Sequence, residues 1–221
     1  MTSRALVIGA SGGIGGALAA ALDAKGADVT RVSRREHGFD VTDPVSVHQV
    51  MQRLTGPFDM VLVATGILSP PNAQPEKSLA DIHPHAMVQV MAVNAIGPAL
   101  ILQHIPRLLP KTGRAIVGVL TARVGSIGDN RLGGWYSYRA AKAAANQIVR
   151  TAAIEIARKR PETVVAALHP GTVETDFTRA YPGYAKVTPE TAATRLLTVL
   201  EGLTPADTGG FFDWSGAVVP W

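Results

Sequence analysis

The chain has 221 residues, enough for one domain and short for two. Its apolar fraction of 47% against 17% charged residues excludes a disordered chain and supplies a sizeable core. Cysteine is absent, which removes any disulfide framework, thiolate nucleophile or cysteine-ligated zinc. The net charge of +4 leaves nucleic acid, a membrane surface or a phosphate-bearing ligand open until the charge is located.

Residues 5–8 are a short apolar run ending in glycine, the pattern of a buried strand. A Gly/Ser loop follows. Residues 14–24 then carry an alanine-rich helical pattern, stopped by Gly26. Residues 28–33 hold the next strand. Asp43 is a helix N-cap with Pro44 at the first helical position, and Val47, Val50, Met51 and Leu54 recur at helical spacing. Gly56-Pro57 ends that helix, and residues 60–64 form another buried strand. Residues 66–85, rich in Pro, Ser, Asn and His, read as a loop.

A long helix is expected from about 87 to 109, kinked at Pro98. Residues 115–120 are a strand, 121–134 a loop with four glycines, and 135–158 the longest helix. Residues 164–168 are a strand closed by His169-Pro170-Gly171. Thr188-Pro189 opens a last helix with Leu196, Leu197 and Leu200 on its apolar side, and 211–213 is a final strand. No apolar run approaches the ~18 residues of a membrane-spanning helix. The N-terminal residues run straight into the first strand, so a cytoplasmic protein without a leader is expected.

Strands alternate with helices throughout, and each strand is a continuous apolar run. That order predicts an α/β fold: a doubly wound, Rossmann-like parallel sheet with helices on both faces. One domain over 1–221 is expected, with a short substrate loop near 176–187 in which Phe177, Tyr181 and Tyr184 would wall a pocket.

The first strand runs into Gly9-Ala10-Ser11-Gly12-Gly13-Ile14-Gly15. Glycines between a strand and a helix permit a tight turn and let the backbone approach a pyrophosphate at the helix N-terminus. The loop predicts a dinucleotide site that uses Gly9, Ser11, Gly13, Ile14 and Gly15. For NAD, an acidic residue at the end of the second strand bonds the ribose 2′-hydroxyl. Here that place holds Ser33-Arg34-Arg35, and arginine forks suit a 2′-phosphate. NADP(H) is therefore favoured over NAD(H), although Glu36 keeps NAD open. This cluster accounts for part of the basic balance, and no basic stripe interleaved with aromatics points to nucleic acid.

Tyr138-Arg-Ala-Ala-Lys142 places a phenol and an ammonium on one helix face. A tyrosine pKa near 10 is too high for acid–base work at neutral pH. A cation ~4 Å away contributes ~1–4 kcal/mol, which lowers the phenol by roughly one to three units. Tyr138 is then a general acid or base for an alcohol or carbonyl oxygen while hydride moves. Tyr136 has no lysine four residues on.

The Gly9-x3-Gly13-x-Gly15 loop and the Tyr138-x3-Lys142 pair resemble the short-chain dehydrogenase/reductase family, and the likeness extends over nearly the whole chain. The resemblance implies that Asp40-Val41 contacts the adenine and that Ala64-Thr65-Gly66 forms a turn at the cofactor. It implies that Asn94 is the catalytic asparagine at a helix kink. It implies that Pro170, Gly171, Val173 and Thr175 line the nicotinamide, with Lys142 bonding its ribose. The run from Gly125 to Tyr138 and the closing Val-Pro-Trp resemble a branch of C-factor-type proteins and sniffer-type carbonyl reductases. The family also implies a homodimer or homotetramer acting on a small carbonyl or alcohol substrate, with no metal, nucleic acid or membrane.

The chain departs from the family at the catalytic serine. Strict register before Gly125 puts Ala122 there, with Thr121 one residue earlier and Ser126 four residues deeper in the loop. Either hydroxyl is a candidate. If neither serves, the alternative is a cofactor-binding sensor or signalling protein with little turnover. A nucleotide-sugar epimerase would need a larger C-terminal part.

Overall fold

The structure is a computed structural model, and it describes residues 3–179, 183 and 185–221. Among these described residues, six strands form one sheet: β1 Arg4–Ile8, β2 Asp28–Val32, β3 Met60–Val63, β4 Ala115–Leu120, β5 Thr163–His169 and β6 Phe211–Asp213. Their spatial order is β2-β1-β3-β4-β5-β6, and each neighbouring pair is parallel. Register pairs such as Val7 opposite Leu62 and Val61 opposite Val117 hold the centre. The chain leaves β1 for β2 on one side and returns to β3 on the other. That reversal opens a crevice at the carboxyl ends of β1 and β3, where ligands of such sheets bind.

Among the described residues, eight α-helices accompany the sheet: α1 Gly13–Ala24, α2 Arg34–His37, α3 Pro44–Arg53, α4 Pro84–Met91, α5 Gly97–Leu102, α6 Ile105–Leu108, α7 Tyr136–Ala157 and α8 Pro189–Gly202. Alternate strand residues face opposite sides, and two cores result. Ala5, Val7 and Leu62 pack with Leu18 and Leu22 of α1 and with Leu196 and Leu200 of α8. Leu6, Ile8 and Val63 pack with Met51 of α3, Ile101 of α5, Ile105 of α6 and Val149 of α7. Fully burying each such side chain contributes roughly 1.5–3 kcal/mol.

The expected helix from 87 to 109 is corrected. It starts at Pro84, widens into a π-helical turn over Ala92–Ile96, resumes as α5, and turns again before α6. Pro98 lacks an N–H, and its ring crowds the carbonyl four residues back. The turn before it relaxes to wider bonding, so the break precedes the proline. Counted across its polar residues, Pro84–Leu108 spans 25 residues and contains an 18-residue window of mean hydropathy 1.6, apolar enough by composition to cross a membrane. In this fold its Ile101, Ile105 and Leu108 are buried against the sheet.

The short helix α2 was not expected. Ser33 caps it, its Oγ accepting the Glu36 N–H at 3.3 Å. The longest helix begins at Tyr136 because Trp135 is left-handed, with φ 51°. After β6 the chain turns back, Val218 pairs antiparallel with Phe212, and Trp221 stacks on Phe211 at 5.7 Å.

Candidate active site

A cleft of about 810 Å³ opens at the carboxyl ends of the central strands. Its walls are Ser11–Gly15, Ala64-Thr65-Gly66, Leu120–Val124, Tyr138 with Lys142, and residues 169–178. The floor follows from the fold. β1, β3, β4 and β5 all end here, and α1 and α7 begin here.

The glycine loop is shaped by close backbone approach. Gly9 has φ +91°, and a Cβ on Gly15 would stand 2.2 Å from the Gly9 carbonyl oxygen. No side chain caps α1, so the amides of its first turn face the cleft with their partial positive charge. Across the cleft, Thr175 lies against Gly13, where an added Cβ would meet its Cγ2 at 2.6 Å. A phosphate cradle of bare backbone fits these residues.

Arg34 and Arg35 are exposed at the start of α2, and neither forms an ion pair among the described residues. Arg31, by contrast, is paired to Asp23. Neither Arg34 nor Arg35 lines the cleft itself. Ser33 corrects an expectation. It is buried, and its hydroxyl bonds Glu36 rather than standing free as a donor. The Asp40 carboxylate is also turned to its own loop. It accepts from the backbone N–H and the hydroxyl of Thr42, which hold its pKa below the usual range, against some burial and aided by Arg34. Val41 packs against Gly97.

Tyr138 and Lys142 share a face of α7, and both are buried. The Lys142 Nζ sits over the Tyr138 ring, 5.8 Å from its centroid, and donates to the Leu120 carbonyl at 3.1 Å. Burial raises the Tyr138 pKa above its ordinary value and lowers that of Lys142 to about 8. The expected lowering of the phenol by its neighbouring cation is thereby corrected. Removal from water outweighs the lysine, whose own charge is disfavoured by the same burial.

The two candidate hydroxyls part company. Thr121 lines the cleft at the end of β4, and its buried Oγ1 has no hydrogen-bond partner. Ser126 does not line the cleft, and its Oγ accepts the Asp129 N–H at 3.0 Å. The reason is close packing. A Cβ on Gly125 would lie 2.7 Å from the backbone of Lys142, so the loop runs flush along α7 and turns Ser126 inward. Ala122 also faces the cleft.

Asn94, fully buried in the π-helical turn, lies behind the cleft wall. Its Oδ1 accepts the Ile67 N–H at 2.9 Å, and its Nδ2 donates to the Ile67 carbonyl at 2.7 Å. A Cβ on Gly66 would meet both Asn94 Oδ1, at 2.9 Å, and Lys142 Nζ, at 3.5 Å. Asn94, Gly66 and Lys142 thus converge, with the asparagine bonded to backbone.

Phe177 lines the cleft with its ring 5.7 Å from that of Tyr138, whereas Tyr181 and Tyr184 lie outside the described residues. Thr65, expected in the turn at the cofactor, brings a second buried hydroxyl without a partner to the wall. Two further residues lining the cleft were not assigned a role from the sequence. Trp135 stands edge-on to Tyr138 at 6.1 Å. His169 carries a buried Nδ1 without a partner, and burial lowers its pKa to about 4, Asp213 opposing and Arg123 adding. Only their places beside motif residues pointed to them.

Comparison with known proteins adds the following. The family model described as short chain dehydrogenase matches residues 3–183. The 1-hydroxy-2-glutathionyl-2-methyl-3-butene dehydrogenase of Rhodococcus sp. (strain AD45) is 31% identical, over 99% of this chain and 100% of its own. The C-signal protein of Myxococcus xanthus is 34% identical over 76% of this chain and 95% of its own. An NADPH-bound carbonyl reductase from chicken fatty liver superposes with a TM-score of 0.83 at 26% identity, covering 100% of this chain and 94% of that one.

Proposed function

The chain belongs to the short-chain dehydrogenase/reductase family, and from that premise we propose that it is an NADP(H)-dependent reductase of small carbonyl compounds. The observation that carries this reading is the buried Tyr138–Lys142 pair, which lines one cleft together with Thr121 and the glycine loop.

The cofactor, when bound, supplies the hydride. The first-turn amides of α1 would hold its pyrophosphate, and Arg34 and Arg35 the 2′-phosphate. Asp40 and Val41 would hold the adenine. Pro170, Gly171, Val173 and Thr175 would hold the nicotinamide, and Lys142 would bond the ribose. Thr121 offers its free hydroxyl to the substrate oxygen, in the place usually taken by serine. Tyr138 is protonated at neutral pH and acts as the general acid, giving that proton to the carbonyl oxygen. Leu68, Phe177 and Trp135 present an apolar wall to the substrate body. The same reading places the protein in the cytoplasm as a homodimer or homotetramer, with no role on nucleic acid or membranes.

The test is NADPH and NADH oxidation over a panel of aldehydes, ketones and quinones, with Tyr138→Phe alongside. NADPH-preferring turnover that Tyr138→Phe abolishes, with NADPH binding retained, is the expected result. A Tyr138→Phe protein as fast as the parent overturns the mechanism. NADPH binding without turnover of any substrate favours the sensor reading, which Ala122 in the serine register supports.

A further inference from the structure

Glu76 is a buried carboxylate, 5% exposed, with no ion pair among the described residues. Burying such a group is costly unless donors surround it. Its donors come from the first turn of α7. The Ser137 N–H donates to Oε2 at 3.2 Å, and the Ser137 hydroxyl donates to Oε1. The positive end of the α7 dipole adds to these bonds. The Glu76 backbone takes part as well, its carbonyl accepting the Trp135 N–H. Carboxylate and carbonyl thus bracket the residues that begin α7.

Those residues need bracketing. Trp135 holds φ 51°, a left-handed conformation that costs a bulky residue on the order of 1–3 kcal/mol. Its ring stands edge-on to Tyr138, which is the residue after Ser137. Glu76 also lines a second cavity of about 350 Å³, together with residues 72–75, Lys77, Asp81, His83 and Ala86. The glutamate thus touches both that cavity and the start of α7. The loop it belongs to also carries Ile67 and Leu68, which pack in one cluster with Tyr138 and Ala141.

We propose that Glu76 is a positioning residue: by clamping Ser137 and Trp135 it fixes where the Tyr138 phenol stands and keeps water from it. The proposal rests on the role given to Tyr138 above. It touches neither substrate nor cofactor, and its effect passes through the helix start.

The test compares Glu76→Ala, Glu76→Gln, Ser137→Ala and the double variant Glu76→Ala/Ser137→Ala with the parent and Tyr138→Phe. In Glu76→Ala, kcat falls by roughly 10- to 100-fold while the NADPH dissociation constant stays within about twofold. Glu76→Gln recovers most of the loss, because its amide oxygen still accepts the Ser137 N–H. The double variant loses no more than Glu76→Ala alone, since the two side chains act as one unit. A readout independent of turnover is the phenolate absorbance of Tyr138, isolated by subtracting the Tyr138→Phe spectrum. It titrates at lower pH in Glu76→Ala, as water reaches the ring.

Unchanged kcat and unchanged titration in a folded Glu76→Ala protein overturn the proposal. So does an equal loss of kcat and NADPH affinity, which marks general loosening. If Glu76→Ala does not fold, Glu76→Gln and Ser137→Ala carry the same comparisons. A parent whose turnover survives Tyr138→Phe defeats the reading of Tyr138. Turnover that depends on Tyr138 and ignores Glu76 defeats only the present inference.

Discussion

The Lys142 ammonium lies over the Tyr138 ring, 5.8 Å from its centroid, and is bonded to the Leu120 carbonyl at the end of β4. The pair is thereby tied to the same strand end that presents Thr121. Its electrostatics give the first prediction. Lys142 is lowered from 10.5 to about 8 by burial, so it is charged below that pH and neutral above. The reductive kcat/KM should decline as pH rises through about 8, and Lys142→Met should be slow and lack that decline. A pH–rate profile with NADPH measures both, and a parent profile flat across that region counts against a charged Lys142.

Thr121 and Ser126 can be separated by substitution. Thr121→Ala removes a hydroxyl that has no partner of its own, so the fold should hold while kcat drops by about 100-fold. Thr121→Ser should keep most activity. Ser126→Ala removes the acceptor for the Asp129 N–H and should cost about 1 kcal/mol of stability with little change in kcat. Steady-state kinetics beside urea unfolding measures both, and the reverse pattern would return the catalytic role to Ser126.

Arg34 and Arg35 have no ion pair to lose among the described residues, so their replacement should cost the fold little. Arg34→Ala and Arg35→Ala should each weaken NADPH binding about 10-fold, as loss of a charged hydrogen bond predicts, and leave NADH nearly unchanged. Paired titrations with the two cofactors measure this. An equal loss for both would mean that the arginines do not read the 2′-phosphate.

His169 makes acid stability testable. In the fold its pKa is about 4, against an ordinary 6.5. Between those values the unfolded chain binds the extra proton, so stability falls as pH drops through that window and is full above it. The slope from this one group reaches at most about 1.4 kcal/mol per pH unit. Burial, followed by His48 and Arg107, lowers His104 as well, which adds a contribution of the same sign. Chemical denaturation of the parent and His169→Gln between pH 4 and 6.5 should show a flatter dependence in the variant. Identical slopes would mean that His169 is neutral in both states or charged in both.

Much of the fold was legible because its signals are local. The continuous apolar runs of β1, β3, β4 and β5 need burial on both faces, whatever else surrounds them. Asp43-Pro44 and Thr188-Pro189 open helices where expected, each capping side chain accepting a nearby N–H. The glycine loop and the Tyr138-x3-Lys142 spacing are likewise fixed within a few residues. The break before Pro98 was misplaced because a π-helical turn spreads its adjustment over the preceding turn.

By itself the sequence determined the strand order along the chain, the glycine loop, the tyrosine–lysine pair and the chemistry these residue types allow. Only the tertiary structure decided which groups stand free and which are already bonded. It left Thr121 Oγ1 without a partner and gave Ser126, Ser33 and Asp40 to their own loops. It also raised the Tyr138 pKa where the pair alone predicted the opposite. The physical reason is common to all of these. Hydrogen-bond satisfaction and desolvation depend on everything packed around a group, and those neighbours come from distant parts of the chain.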